Sequence, residues 1–160
     1  MDEQLPEVTQ KRVLPGWTVS QWAGELIEQA GMGVTILDRD GRVMFYNQWA
    51  ANRLDRQPEY IGRDVRNNHR RTITNPRFDA MLKLFEEGRT DPVHYVARPY
   101  GKITILVTVS PIKVDGELVG YSQIVLMKDE VQELFRRFDE SGRESFEKDM
   151  LPACPFSGND

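Results

Sequence analysis

His69 and His94 are the only two histidines in this 160-residue chain. A neutral imidazole is a good ligand for iron and suits the axial position of a haem. Met81 offers a third soft donor, on a helical stripe where a methionine ordinarily serves as core. Around His69 stand Arg63, Arg66, Arg70 and Arg71, a basic cluster in a chain of net charge −4. Guanidinium groups pair with carboxylates, so the cluster would suit haem propionates or a small carboxylate ligand without any metal. The sequence carries no Gly-rich phosphate loop, no His-Glu-x-x-His and no Ser-His-Asp order, and it is read as a non-enzyme. Its one cysteine, Cys154, excludes an intrachain disulfide framework and a cysteine-rich zinc site. The Cys154-Pro155 dipeptide is short enough to arise by chance.

These side chains need elements to hold them. His69 falls just ahead of a helix that Asn75-Pro76 is expected to open, with Asn75 as cap and Pro76 at the first helical position. Phe78, Met81, Leu82 and Phe85 form its apolar stripe, and Gly88 closes it. His94 lies on the following strand, Val93 to Ala97. The sequence leaves open which face it takes, because Val93, Tyr95 and Ala97 compete for the inward side. Two more strands are expected over Lys102 to Ile112 and Leu118 to Met127, joined by a turn at Asp115-Gly116. In the first of these Ile103, Ile105, Val107 and Val109 alternate with polar residues, which puts the odd positions inward.

The opening of the chain is the most patterned. Residues 33–37 and 42–46 are β-branched and aromatic runs flanking Asp40-Gly41, a hairpin signal. Asn47 then caps a short helix over 48–54. This order of strand, turn, strand, Asn and helix resembles the start of a PAS domain. The resemblance implies a five-stranded antiparallel sheet with helices on one face, an α+β architecture, and a sensory or interaction role. It puts His69 and His94 in segments that wall a pocket. Gly62-Arg63-Asp64-Val65-x-Asn67-x-His69, followed by a helix ending in Phe85-Glu86-Glu87-Gly88, is similar to a branch that includes haem-binding bacterial sensors. Asn68 and Arg70-Arg71 stand where that branch carries a cysteine and two prolines. The resemblance implies haem b with His69 on the iron, with His94 as a sixth ligand if it faces the pocket. The alternative is a metal-free module for dimerisation, protein interaction or a small organic ligand.

The expected organisation is an arm over 1–15, an amphipathic helix over 16–31, the PAS domain over 32–128, a helix over 129–142 and a flexible tail over 143–160. In the first helix Thr18 and Gln21 form a capping box, and Val19, Trp22, Ala23, Leu26, Ile27 and Ala30 share one face. In the last, Val131, Leu134, Phe135 and Phe138 do the same. One sheet face has limited room for both stripes, so a homodimer through residues 18 to 30 is expected. Hydrophobic content of 39% and charged content of 29% suit a soluble protein. The net negative charge argues against nucleic acid. No apolar run approaches the ~18 residues of a membrane span, and a cytoplasmic protein is expected. The output is expected from an unidentified downstream partner, or from a longer protein of which this is a part.

Overall fold

The computed structural model describes residues 19–54, 56–68, 74–99 and 101–141. His69, Arg70, Arg71, Cys154, Thr18, the expected arm and the expected tail lie outside the described residues. The elements run α1 (Val19–Gln29), β1 (Gly33–Asp38), β2 (Val43–Tyr46), α2 (Gln48–Arg53), α3 (Thr74–Glu86), β3 (Val93–Ala97), β4 (Ile105–Val114), β5 (Glu117–Met127) and α4 (Lys128–Ser141). Two 3-10 turns, Pro58–Tyr60 and Val65–Asn68, lie between α2 and α3. The strands form one antiparallel sheet in the order β2-β1-β5-β4-β3.

The register separates the two sheet faces. Thr35 pairs with Gln123, which pairs with Val109, which pairs with Val93. Leu37 pairs with Tyr121, and Val125 with Val107, which pairs with Tyr95. These residues share the inner face, because side chains two apart on a strand point the same way. The α3 stripe of Phe78, Met81, Leu82 and Phe85 buries itself with this face, as its spacing predicts. Each such side chain contributes about 1.5–3 kcal/mol by leaving water. Met81 is therefore part of the apolar core.

Three local differences from the sequence reading have physical causes. The β1–β2 connection is the four residues Arg39 to Arg42, one residue later than the 38–41 gap between the expected runs. Asp38 makes it so: its Oδ1 accepts from the backbone N–H of Asp40 at 2.9 Å and of Arg42 at 2.8 Å. Helix α3 begins at Thr74, so Asn75 and Pro76 lie in its first turn and Asn75 is not the cap. First-turn N–H groups have no intrahelical acceptor, so the proline costs nothing there. Strand β4 starts at Ile105 instead of Lys102, because β3 pairs with it only as far as Ala97, ahead of Pro99. At its other end β4 runs on to Val114, where Asp115 and Gly116, with φ of 50° and 81°, turn the chain directly into β5.

Candidate functional site

The β2 edge of the sheet is closed by an irregular segment. Gly62 N–H donates to Val43 O at 2.7 Å, Val43 N–H to Arg63 O at 2.9 Å, and Val65 N–H to Gly41 O at 2.9 Å. Arg66 locks this segment to α3. Its Nη1 donates to both carboxylate oxygens of Asp64 at 3.0 and 3.1 Å, and its Nε to Asp79 at 2.6 Å. It also reaches the Asp40 carbonyl at 3.1 Å, and its guanidinium sits 5.2 Å from the Phe78 ring centre. Partial burial pushes the Asp64 carboxyl up, but the Arg66 backbone N–H and guanidinium outweigh it and hold Asp64 below its ordinary value. Arg66 is thus engaged by two carboxylates, and Arg63 is exposed.

His94 takes the outer face. Its register partner is Thr108, whose Oγ1 is 2.8 Å from His94 Nδ1, and both side chains lie opposite the buried Val107–Val109 row. A sixth ligand would have to face inward, so His94 cannot serve as one from this position.

The inner face carries an unexpected polar break beside α2. At its centre Gln123 on β5 is held from two sides. Its Oε1 accepts from Arg56 Nη2 at 3.3 Å, and its Nε2 donates to the Tyr95 hydroxyl at 3.5 Å. Tyr95 is 37% exposed, and the partial desolvation of its phenol raises it above its ordinary value, against the Gln123 hydrogen bond and the Arg56 charge. Across the β1–β5 ladder from Gln123 is Thr35, which is 1% exposed, and its hydroxyl has no hydrogen-bond partner. Two residues earlier on β5, the Tyr121 hydroxyl is likewise buried and unpartnered, with its ring 5.8 Å from that of Phe85. A buried polar atom without a partner is uncommon and costs about 1–3 kcal/mol.

Next to this break the packing is tight and well bonded. Gly33 is small because Trp49 on α2 lies over it; a Cβ there would sit 2.9 Å from the indole. Asn47, 0% exposed, caps α2 by accepting from Ala50 N–H at 3.1 Å. The same Oδ1 accepts from Val34 N–H at 3.0 Å, and Nδ2 donates to the carbonyls of Ile27 and Met32, each at 2.9 Å. One side chain thereby ties α1, β1 and α2 together.

This is a five-stranded sheet in the order β2-β1-β5-β4-β3, with helices layered on its inner face, and a family model described as PAS domain matches residues 24–126. The chain belongs to the PAS domain family. Solved structures carry the same fold. The C-terminal domain of a Streptococcus mutans protein superposes with a TM-score of 0.60 at 20% identity, over 76% of this chain and 94% of that one. The PAS domain of Bordetella pertussis BvgS gives 0.57 at 14% identity, over 76% and 97%. A PAS domain from Colwellia psychrerythraea gives 0.56 at 14% identity, over 69% and 97%. At these identities the likeness is one of fold. No curated protein matches the chain.

Within this PAS fold His69, the expected axial ligand, lies outside the described residues. The inner face presents no described histidine, Met81 is packed in the core, and Arg66 is bound to Asp64 and Asp79. Of the sequence candidates, only Arg63, Arg66, Met81 and His94 are described, and the fold does not bring them to one place. Sequence reasoning missed Thr35, Gln123, Tyr95 and Arg56. The available signal was parity: Thr35 and Gln123 are polar residues at inward positions of apolar strands.

The terminal helices complete the PAS module. Among the described residues no helix is long and apolar enough to cross a membrane. On α1, Trp22 and Leu26 are 54% and 70% exposed, and on α4 Leu134, Phe135 and Phe138 are exposed too. Helix α4 follows β5 with no intervening residue, and Arg53 on α2 forms an ion pair with Glu130 on α4.

Proposed function

We propose that this PAS domain is a sensory module that takes a small organic ligand on the inner face of its sheet and passes the change on through its terminal helices. The observation that carries this reading is the polar break at Thr35, Gln123 and Tyr95 within an apolar layer. A ligand can shift the module only by its different affinity for two arrangements of it, and side chains that gain partners on binding supply such a difference. No catalytic role is assigned. Mass spectrometry of material released from the purified protein, with thermal melts against candidate ligands, tests the reading. A protein that carries nothing and whose melting temperature no small molecule raises would overturn it.

The output is a homodimer through α1 acting on a downstream protein. Exposed Trp22 and Leu26 on one face of that helix support the pairing; each would contribute about 1.5–3 kcal/mol if buried across a two-fold axis. Light scattering should show a dimer at tens of micromolar and a folded monomer for Trp22→Glu/Leu26→Glu. A monomeric intact chain would contradict it.

Haem b is the second reading, carried by the sequence run from Gly62 to His69. Hemin added to the purified protein should give a Soret band that changes in His69→Ala. Identical spectra for the two proteins would remove His69 from the role.

A further inference from the structure

We infer that strand β3 is a docking edge for a second copy of this chain. The two β3 strands pair antiparallel about a two-fold axis that passes at Tyr95. This contact goes beyond the α1 dimer and is separate from it.

The two edges of the sheet differ. At the β2 edge, backbone bonds among Gly41, Val43, Gly62, Arg63 and Val65 close the ladder. At the β3 edge, pairing parity fixes which groups stay open. In an antiparallel ladder each residue turns its N–H and C=O to one side, and successive residues alternate. Lys128 N–H bonds to Thr104 O, so even-numbered residues along β4 bond towards β5 and odd-numbered ones towards β3. Carried across the sheet, the same alternation turns Val34 towards β2, and there Asn47 bonds both its N–H and its C=O. On β3, Val93, Tyr95 and Ala97 therefore bond to Val109, Val107 and Ile105, and His94 and Val96 turn their N–H and C=O outward. Among the described residues no backbone group meets them there.

The open stretch admits one register. Ahead of it Pro92 has no N–H, and its carbonyl accepts from Arg89 Nη2 at 3.2 Å. Beyond it Arg98 O accepts from Gly101 N–H at 3.5 Å. His94 and Val96 lie on either side of Tyr95, so a two-fold copy sets each His94 against the partner's Val96. Each of these two pairs exchanges both its hydrogen bonds. Sliding the copy by two residues sets Val96 against the partner's Pro92, or His94 against the partner's Arg98, and loses bonds. The edge is thus its own complement, which favours a second copy over an unrelated strand. Val93–Ala97 also lacks the Lys, Arg, Asp or Glu that commonly guards an open edge. Tyr95 meets the partner's Tyr95 as a non-hydrogen-bonded pair, the kind in which side chains approach closest. Exposed Val96 packs beside the partner's His94.

Five residues a side bury less than the ~1,200 Å² of a standard interface, so the contact is weak by itself. Helix α1 is tied by Asn47 to the β2 side of the sheet, away from β3. Both contacts can therefore form at once, and their separate two-fold axes join α1 dimers into larger species.

The test uses the full chain carrying Trp22→Glu/Leu26→Glu, which silences α1. Sedimentation should show a monomer at tens of micromolar and a dimer near 1 mM, with a Kd on the order of 0.1–1 mM. Amide NMR shifts of His94 and Val96 should move with concentration, and those of Val93 and Ala97 should move less. Val96→Pro removes an N–H that points outward, so β3 keeps its ladder to β4. It should weaken pairing by about tenfold or more in a protein that stays folded. Tyr95→Pro, which removes a ladder N–H, should instead lower the melting temperature. Val96→Lys is a second edge variant with the backbone untouched, and it too should weaken pairing. Where the α1 variant does not fold, the intact chain carries the same test: the larger species it forms near 1 mM should vanish in Val96→Pro. A monomeric α1 variant at 1 mM with the His94 and Val96 amides unmoved would overturn the β3 contact. Association unchanged by Val96→Pro and Val96→Lys would overturn it as well. An intact chain that is monomeric at tens of micromolar would remove the α1 dimer alone and leave β3 to the measurement near 1 mM.

Discussion

Asn47 and Thr35 are both polar, both within 1% of complete burial, and only strands apart, yet the protein treats them oppositely. The Asn47 amide fills its full capacity with four hydrogen bonds, one each to α1, β1 and α2 and one to Met32 between α1 and β1. The Thr35 hydroxyl, on the inner face beside Gln123, makes none. The first is what a polar side chain looks like when it is kept for the fold. Its desolvation is repaid in full, and it specifies how α1, β1 and α2 meet. The second brings the fold no compensating bond for the cost of burying its hydroxyl. The difference separates two kinds of buried polar group: bonded ones act as joints, and unbonded ones have no such role in holding the fold.

Four measurements would break or sharpen this contrast. The largest effect is expected at Asn47. Asn47→Ala removes four hydrogen bonds and the α2 cap, and unfolding free energy should fall by about 3 kcal/mol or more in denaturant titration. Asn47→Asp should be nearly as damaging, since a carboxylate cannot donate to the Ile27 and Met32 carbonyls. A loss below about 1 kcal/mol for either variant would mean that the corner is not a joint.

The second measurement concerns the bonded but more exposed cluster at Arg66. Its partners Asp64 and Asp79 are 41% and 55% exposed, so screening discounts the ion pairs. Arg66→Met should cost about 1 kcal/mol, and a loss as large as that at Asn47 would erase the distinction between buried joint and surface clasp.

The third is the acid limb of stability. The folded Asp64 pKa lies below its unfolded value, chiefly through Arg66 acting against burial. A depressed carboxylate stabilises the fold at all pH above its unfolded pKa of about 3.9. That contribution is lost as pH falls from there through the folded pKa. Between pH 5 and 3 the intact protein should therefore lose stability more steeply than Asp64→Asn. Parallel acid limbs would show that the clasp contributes nothing through Asp64.

The smallest effect is at Thr35. Without ligand, Thr35→Val should leave stability unchanged or raise it by up to ~1 kcal/mol. A drop of that size would mean that the hydroxyl is bonded in solution and the contrast with Asn47 is false.

Much of this architecture was legible because it obeys local periodicities. The stripe Phe78, Met81, Leu82 and Phe85 announces a helix on a core, and the alternation from Ile103 to Val109 announces which side of β4 faces it. Asn47 reads as a cap from its place between a strand and a helix, although its bonds to α1 and β1 depend on tertiary packing. The candidate site was mostly illegible. Thr35, Tyr95, Gln123 and Arg56 come from β1, β3, β5 and the residue stretch after α2, and only the strand register makes them neighbours. His94 could not be assigned a face, because a five-residue strand with apolar and polar residues on both sides fits either parity. The Arg63 to Arg71 cluster looked like one feature in sequence, but Arg66 folds back onto two carboxylates whereas Arg63 stays at the surface.

The join between β5 and α4 gives the sheet a lever arm. Met127 ends the strand and Lys128 begins the helix, and Lys128 N–H still bonds to Thr104 O at 3.0 Å, so the root of α4 is held in line with the ladder. A loop at this point would absorb a change of strand angle; a direct weld cannot. Helix α4 has 14 residues. At 1.5 Å per residue its far end stands ~21 Å from the root, so a tilt of about 10° there displaces that end by roughly 4 Å. Gln123 lies on the same strand as that root. A small tilt at Met127 is thus magnified along α4 by leverage, before any second protein is involved.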